Sequence, residues 1–387
     1  MAGAFRVSLI ALAMFATATD AYVLPALLPE IAKTLGAEYR SAAQLVSAYS
    51  LIYAASIIPL AVATSRWSFR KALGLGLALF VGGCLASALA TNLAVMLLAR
   101  CSCGLGVAIV APTCAAAAIA VQPPNRHGRA ISIIMFSLAL AMAAGLPAAA
   151  FIAALFGWRS TLLLLALLSL LALIGISAMP TPWPERRQAE SIPSLAADRL
   201  LLLGFATAYL AFVGVYCVYI YFGPVFDRAT AANGATVSLL LWLWGLAGVA
   251  GSLAAAWLCD RLGARTLVFA TLACLGLNFI ALPITGAAFG STLAAIVVWG
   301  FSGMMLSIAL QRQLIDRAPS QAAVLSACFV CALQAGIATA GGVDGALAGA
   351  IDPHQLPLLA TAFLMLAIFA QWISGTMAAT RPTHEPA

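Results

Sequence analysis

Apolar residues fall in runs of about 20, a length that crosses the hydrocarbon core of a bilayer as a helix. Twelve runs are predicted as helices, at roughly 7–32, 43–65, 71–91, 94–121, 129–154, 160–179, 200–223, 236–258, 265–285, 290–311, 322–350 and 356–378. The connections are short except at 180–199, "PTPWPERRQAESIPSLAADR", a polar, Pro-rich stretch. It divides the chain into an N-terminal six-helix bundle (1–179), a linker (180–199) and a C-terminal six-helix bundle (200–387). The predicted fold class is an all-α polytopic membrane protein.

Composition agrees. Hydrophobic residues make up 64% and charged residues 8%, whereas soluble domains carry about a quarter charged. The net charge of +7 would point to nucleic acid only if basic residues clustered on one exposed face. Instead they fall at the ends of apolar runs, as the positive-inside rule requires. With the N-terminus inside, 14 lie on the cytoplasmic side, among them Arg66, Arg70, Arg261 and Arg265, and 4 lie outside: Lys33, Arg40, Arg159 and Arg228. A wrong helix count would scramble this split. The expected location is a bacterial inner membrane, with both termini cytoplasmic. The first run loosely fits a signal peptide, but it continues past Asp20 and the helix count needs it.

The two halves repeat. A shift of 195 residues places Pro29 on Pro224 and Arg66 on Arg261. A parallel repeat about an axis normal to the membrane is a transporter architecture, with the substrate site between the halves near the midplane.

Two charges interrupt the apolar runs. Asp20 sits within the first, where an ionised carboxylate costs several kcal/mol on the lenient insertion scales. Pro25 and Pro29 follow on that helix and leave carbonyls without intrahelical partners, which a water-lined cavity tolerates and lipid does not. Arg100 sits within the fourth run. At 1.5 Å per residue, Asp20 lies roughly 20 Å from the cytoplasmic face and Arg100 roughly 9 Å from the outer face. In a core of about 30 Å the two share one level and can offset each other's desolvation. One reading is a structural ion pair. The favoured one is proton coupling: burial disfavours an ionised carboxylate and a nearby cation favours it, so whatever separates the pair changes how a proton is held.

Other polar positions are candidate cavity contacts: Tyr49, Tyr53, Tyr216, Tyr219, Asn278, Gln311 and Gln334. Each could equally be glue between helices. Trp242, Trp244 and Trp299 read as packing or interface anchors. Asp344, Glu30 and Asp352 read as acids near the membrane surface. The nine cysteines include a Cys328/Cys331 pair, but inside an apolar run without a nearby histidine, so small apolar filler is the reading. No metal site is expected. GxxxxGK[ST], HExxH and GxSxG are all missing from the sequence, so neither ATP-driven transport nor a familiar hydrolase is indicated.

Arg100 with Gly104 and Gly106 on the fourth helix, and the loop "AWLCDRLGAR", together resemble the major facilitator superfamily. Arg100, Gly104 and Gly106 match its fourth-helix RxxxGxG motif. "AWLCDRLGAR" matches its loop motif, with Asp260, Arg261, Gly263 and Arg265 in place. "AMAAGLPAAAFIAALFGWR", with Gly145 and Pro147, resembles the helix-five motif of its drug:proton antiporter branch, and "TDAYVLPALLPEIAKTLG" that branch's opening pattern. Helices ten and eleven resemble exporters of the arabinose-efflux-permease type. The first-half loop, "AVATSRWSFRK", departs from the pattern: Ser65 and Ser68 stand where the family has an acid and a glycine, while Arg66 and Arg70 remain.

The resemblance implies two six-helix halves related by a pseudo-twofold axis. It implies proton-coupled export of a drug, sugar or metabolite by alternating access, with Asp20 and Arg100 as the coupling pair. Expected partners are the solute, protons and the lipid bilayer. No nucleic acid and no cofactor are expected, and the protein is expected to be a monomer and not an enzyme. The alternatives are uptake by proton symport and a non-transporting receptor or scaffold.

Overall fold

The chain is described by a computed structural model covering residues 2–123, 126–179, 183, 198–231, 234–347 and 351–379. Among these residues twelve helices are long and apolar enough to cross a membrane. They are α1 (Ala2–Thr34), α2 (Tyr39–Ala63), α3 (Phe69–Ala88), α4 (Leu93–Ala120), α5 (His127–Phe156) and α6 (Trp158–Ala178). They continue as α7 (Arg199–Ile220), α8 (Gly234–Leu262), α9 (Ala264–Thr285), α10 (Phe289–Ile315), α11 (Ala322–Leu347) and α12 (Leu356–Ala379). Most of 180–199 lies outside the described residues. Within it, Trp183 is buried and the Arg6 guanidinium lies 5.4 Å from its ring centroid.

Local chemistry sets the helix ends. The Asn92 side chain accepts from Val95 N at 2.9 Å and starts α4, and the Asp198 side chain accepts from Leu200 N and starts α7, both ordinary N-caps. Ser68, in place of the family's glycine, caps α3. Single glycines turn the chain between α5 and α6 (Gly157, φ 82°) and between α8 and α9 (Gly263, φ 80°), a backbone region open to glycine at no steric cost.

Large apolar side chains stay exposed around the bundle: Leu98 at 73%, Leu253 at 73% and Ile284 at 81%. In water these would be interaction patches; on charge-poor helices of this length they face lipid.

Helices α1–α6 pack chiefly on one another, as do α7–α12. The two groups meet where α2 lies against α11 and α5 against α8. The RxxxGxG motif explains how α4 is held. Gly104 and Gly106 lie about 200° apart around the helix, so each receives a different neighbour. A Cβ on Gly104 would sit 2.6 Å from the Tyr49 carbonyl of α2, and one on Gly106 2.6 Å from the Gly76 carbonyl of α3.

Helix α5 is not regular. Residues Ala141–Gly145 form a π-turn, followed at once by Pro147. Pro147 has no N–H for the carbonyl four residues back, and the wider turn absorbs that break. A Cβ on Gly145 would collide with Thr19 Oγ1, and one on Gly245 of α8 with the Met142 carbonyl. The π-turn is thus pressed between α1, beside Asp20, and α8 of the other half.

Candidate functional site

Asp20 and Arg100, expected at one level, meet in the structure. Arg100 Nη1 and Nη2 donate to the two Asp20 carboxylate oxygens, each at 2.8 Å, and both side chains are wholly buried. This fork-to-fork arrangement is the strongest form of the contact. The neighbouring Thr17 and Thr19 hydroxyls donate to carbonyls of their own helix, which leaves Arg100 as the donor to Asp20. The guanidinium also lies 4.7 Å from the Tyr49 ring centroid, a cation–π distance.

Arg100 has a second edge. Its Nε has no hydrogen-bond partner. Arg100 forms part of the wall of a cavity of about 120 Å³ between the two halves, and Asp20 does not. Arg100 therefore links the carboxylate to the cavity wall. The same wall carries Tyr22, Phe212, Tyr216, Trp244 and Trp299. Five buried polar atoms on it are unpartnered: Tyr49 Oη, Arg100 Nε, Trp244 Nε1, Trp299 Nε1 and Gln334 Oε1. Native interiors leave few such atoms, and among these five, which belong to residues of one wall, donors outnumber acceptors.

The sequence candidates divide. Tyr49, Tyr216 and Gln334 reach the wall. Tyr53 is buried edge-on against Tyr49 and lies off the wall. Tyr219 also lies off it; its Oη donates to the Tyr22 carbonyl at 2.8 Å and clasps the halves together. Asn278 Nδ2 donates to the Ala295 carbonyl at 3.2 Å, so it joins α9 to α10. Gln311 is half-buried near the other end of α10, away from the cavity. Two wall residues were read from the sequence only as packing anchors: Trp244 and Trp299. A partial signal existed. Trp242 and Trp244 are two apart on a helix and face opposite ways, and Trp242 is the exposed one.

The motif residues mostly fasten helix ends. Arg70 donates to the Met179 carbonyl at 3.2 Å and to the Ser177 carbonyl, capping α6. Arg265, its counterpart 195 residues on, lies where a Cβ on Gly375 of α12 would sit. Arg261 stacks on Trp257 at 4.0 Å. Asp260 is 3.7 Å from Arg312, which also holds Asp316 at 2.7 Å. Ser65 gives the first half no carboxylate at the equivalent place. Arg66 lines a surface cleft with Lys71. Beyond Gly157, Trp158 Nε1 donates to Thr34 Oγ1, and Arg159 donates to the Ala88 and Ala90 carbonyls, which rivets the end of α3. The Asp344 side chain lies outside the described residues. Among the described residues no group of His, Cys, Asp and Glu is arranged to hold a metal ion.

Residues 10–341 match the model of the Major Facilitator Superfamily, and the chain belongs to that family. It is a multi-pass membrane transporter rather than an enzyme. A "Probable sugar efflux transporter" of Helicobacter pylori (strain G27) is 28% identical over 356 residues, 91% of this chain and 89% of that protein. Another of that name from Mannheimia succiniciproducens is 29% identical, over 89% of this chain and 86% of that one. The uncharacterised MFS-type transporter YbcL of Bacillus subtilis is 23% identical over 96% of this chain and 95% of its own length. Among solved structures, a mutant of the nucleoside transporter NupG superposes with a TM-score of 0.77 at 13% identity, covering 96% of this chain and 99% of that one; this likeness concerns the fold.

Proposed function

We propose that this protein exports a small neutral, hydroxyl-bearing solute across a bacterial inner membrane in exchange for protons. Asp20 carries the proton, and the Arg-rich face is cytoplasmic. The observation that carries this reading is the two-sided Arg100: both Nη atoms hold Asp20, Nε is left without a partner, and the residue lines the central cavity. Ionised Asp20 holds the guanidinium in place and so presents Nε and the Tyr49 face to a solute. A proton on Asp20 removes the negative half of the pair and releases Arg100 from the wall. Solute binding therefore favours the ionised acid, and protonation disfavours the solute. Such coupling is reciprocal by linkage, and mutual exclusion at one site is what antiport needs.

The cavity wall carries no charge other than Arg100, which Asp20 neutralises. That favours a neutral solute. Its excess of donors and its aromatic rings suit a ring with several oxygen acceptors, in keeping with the sugar efflux named for the relatives. The halves are held together at the Arg-poor face: Tyr39 Oη donates to the Ile220 carbonyl at 2.8 Å, and Gln44 Nε2 donates to the Gly341 carbonyl at 3.2 Å. This corresponds to a state closed to the outside.

The test uses everted membrane vesicles with an imposed pH gradient, reported by a fluorescent weak base. Neutral pentoses and hexoses are expected to dissipate the gradient in wild type and not in Asp20→Asn. The proposal fails if no sugar in the panel does so, or if Asp20→Asn responds as wild type does.

A further inference from the structure

A second cleft, of about 450 Å³, opens at the Arg-poor face. Both halves build it: Pro25, Pro29 and Glu30 of α1, Tyr39 at the start of α2, and Phe222 and Asp227 in the turns after α7. The Tyr219–Tyr22 clasp and Trp244 stand between it and the central cavity. It takes no part in the coupling described above.

Its chemistry is opposite in sense to that of the central wall. No Lys, Arg or His lines it. Among the described residues Glu30 enters no ion pair. Asp227 lies 3.3 Å from His354 Nε2, while Arg228 is turned to Asp352 at 4.0 Å. Lys33, a turn beyond Glu30, is exposed and off the wall. Pro29 has no N–H for the Pro25 carbonyl, so the wall gains no backbone donor at Pro29. Tyr39 spends its one hydroxyl proton on the Ile220 carbonyl, so it offers the cleft no donor. The half-buried ring of Tyr39 completes the set, with Phe222 buried beneath it against Phe226 and Trp299, and an aromatic face with carboxylates is a recognised surrounding of an ammonium group. Apart from Ser238 and Gly223, the rest of the wall is proline, alanine, leucine and valine, which suits apolar substituents.

We propose that this cleft is a second binding site, for an ammonium ion carrying apolar substituents, and that its occupant clamps the two halves together at the Arg-poor face. The clamp follows from the walls. Opening that face would draw Glu30 and Tyr39 away from Phe222 and Asp227 and dismantle the site. A ligand that binds only the closed arrangement shifts the population toward it. The ammonium could come from a free amine or from an amine-bearing lipid headgroup.

The test uses the full chain in nanodiscs of phosphatidylglycerol, with radiolabelled benzyltrimethylammonium in equilibrium dialysis and empty nanodiscs as the blank. Saturable binding is expected. Glu30→Gln and Asp227→Asn should each weaken it by roughly two- to five-fold, the range of exposed charge pairs, without moving the thermal midpoint. Gln334→Ala in the central cavity should leave it unchanged. Bound probe should narrow the distance distribution of a label pair across the Arg-poor face. Replacing half the lipid with phosphatidylethanolamine separates the sources: competition makes the headgroup the occupant, and no competition makes it a free ammonium compound. The proposal is overturned if no saturable binding occurs, if both acid variants bind as wild type does, or if Gln334→Ala removes binding.

Discussion

At the scale of single residues, the ion pair decides most. Removing one member leaves the other buried and unpaired, which costs about 3–5 kcal/mol, whereas removing both leaves no charge stranded. Arg100→Gln should therefore be strongly destabilised, and Asp20→Asn/Arg100→Gln should recover much of that loss. A double-mutant cycle on thermal or denaturant unfolding measures it; independent, additive losses would show that the pair is not coupled. Arg100→Lys should keep the charge but lose the two-pronged grip and the Nε donor, so it should fold and fail to transport. The level shared by Asp20 and Arg100 was legible in the sequence, because the rise of a helix is constant. The split among the tyrosines was not. Tyr216 and Tyr219 are three apart on one helix, yet one meets the cavity and the other gives its hydroxyl to Tyr22. That difference is set by a carbonyl nearly 200 residues away.

At the scale of elements, glycines set the distances between helices. Gly104→Ala would drive a methyl against the Tyr49 carbonyl at 2.6 Å, and overpacking of this kind costs about 1–3 kcal/mol. It would also push α2, and with it Tyr49, away from Arg100. Reduced transport with a modest fall in thermal midpoint is expected; unchanged solute binding would count against Tyr49 as a wall residue. The RxxxGxG motif was readable as a pattern, and its reason lies in the packing: two glycines on opposite sides of α4 admit two different helices. The π-turn of α5 was only half legible. Gly145 and Pro147 announce an irregularity, but a π-turn rather than a kink depends on α1 and α8 pressing from both sides.

At the scale of the whole molecule, two tyrosine hydroxyls join the halves at the Arg-poor face. Each hydrogen bond is worth about 1 kcal/mol net. Tyr39→Phe with Tyr219→Phe should therefore move the conformational equilibrium roughly 30-fold toward the state open at that face. Distance labels across it would report the change, and an unaltered distribution would mean that packing alone holds the closure. The alternation of charge and the length of the apolar runs determined the helix count without any tertiary information, because lipid imposes both on every segment separately, and short motifs such as Arg100 with Gly104 and Gly106 carried the family resemblance. The 195-residue repeat was equally local, carried by Pro29 with Pro224 and Arg66 with Arg261. What only the tertiary structure decided is which polar atoms are left over. Tyr49, Trp244, Trp299 and Gln334 sit in four different helices, and each is chemically able to find a partner within its own bundle. They are brought together where the two halves meet, and that depends on the packing of both halves together.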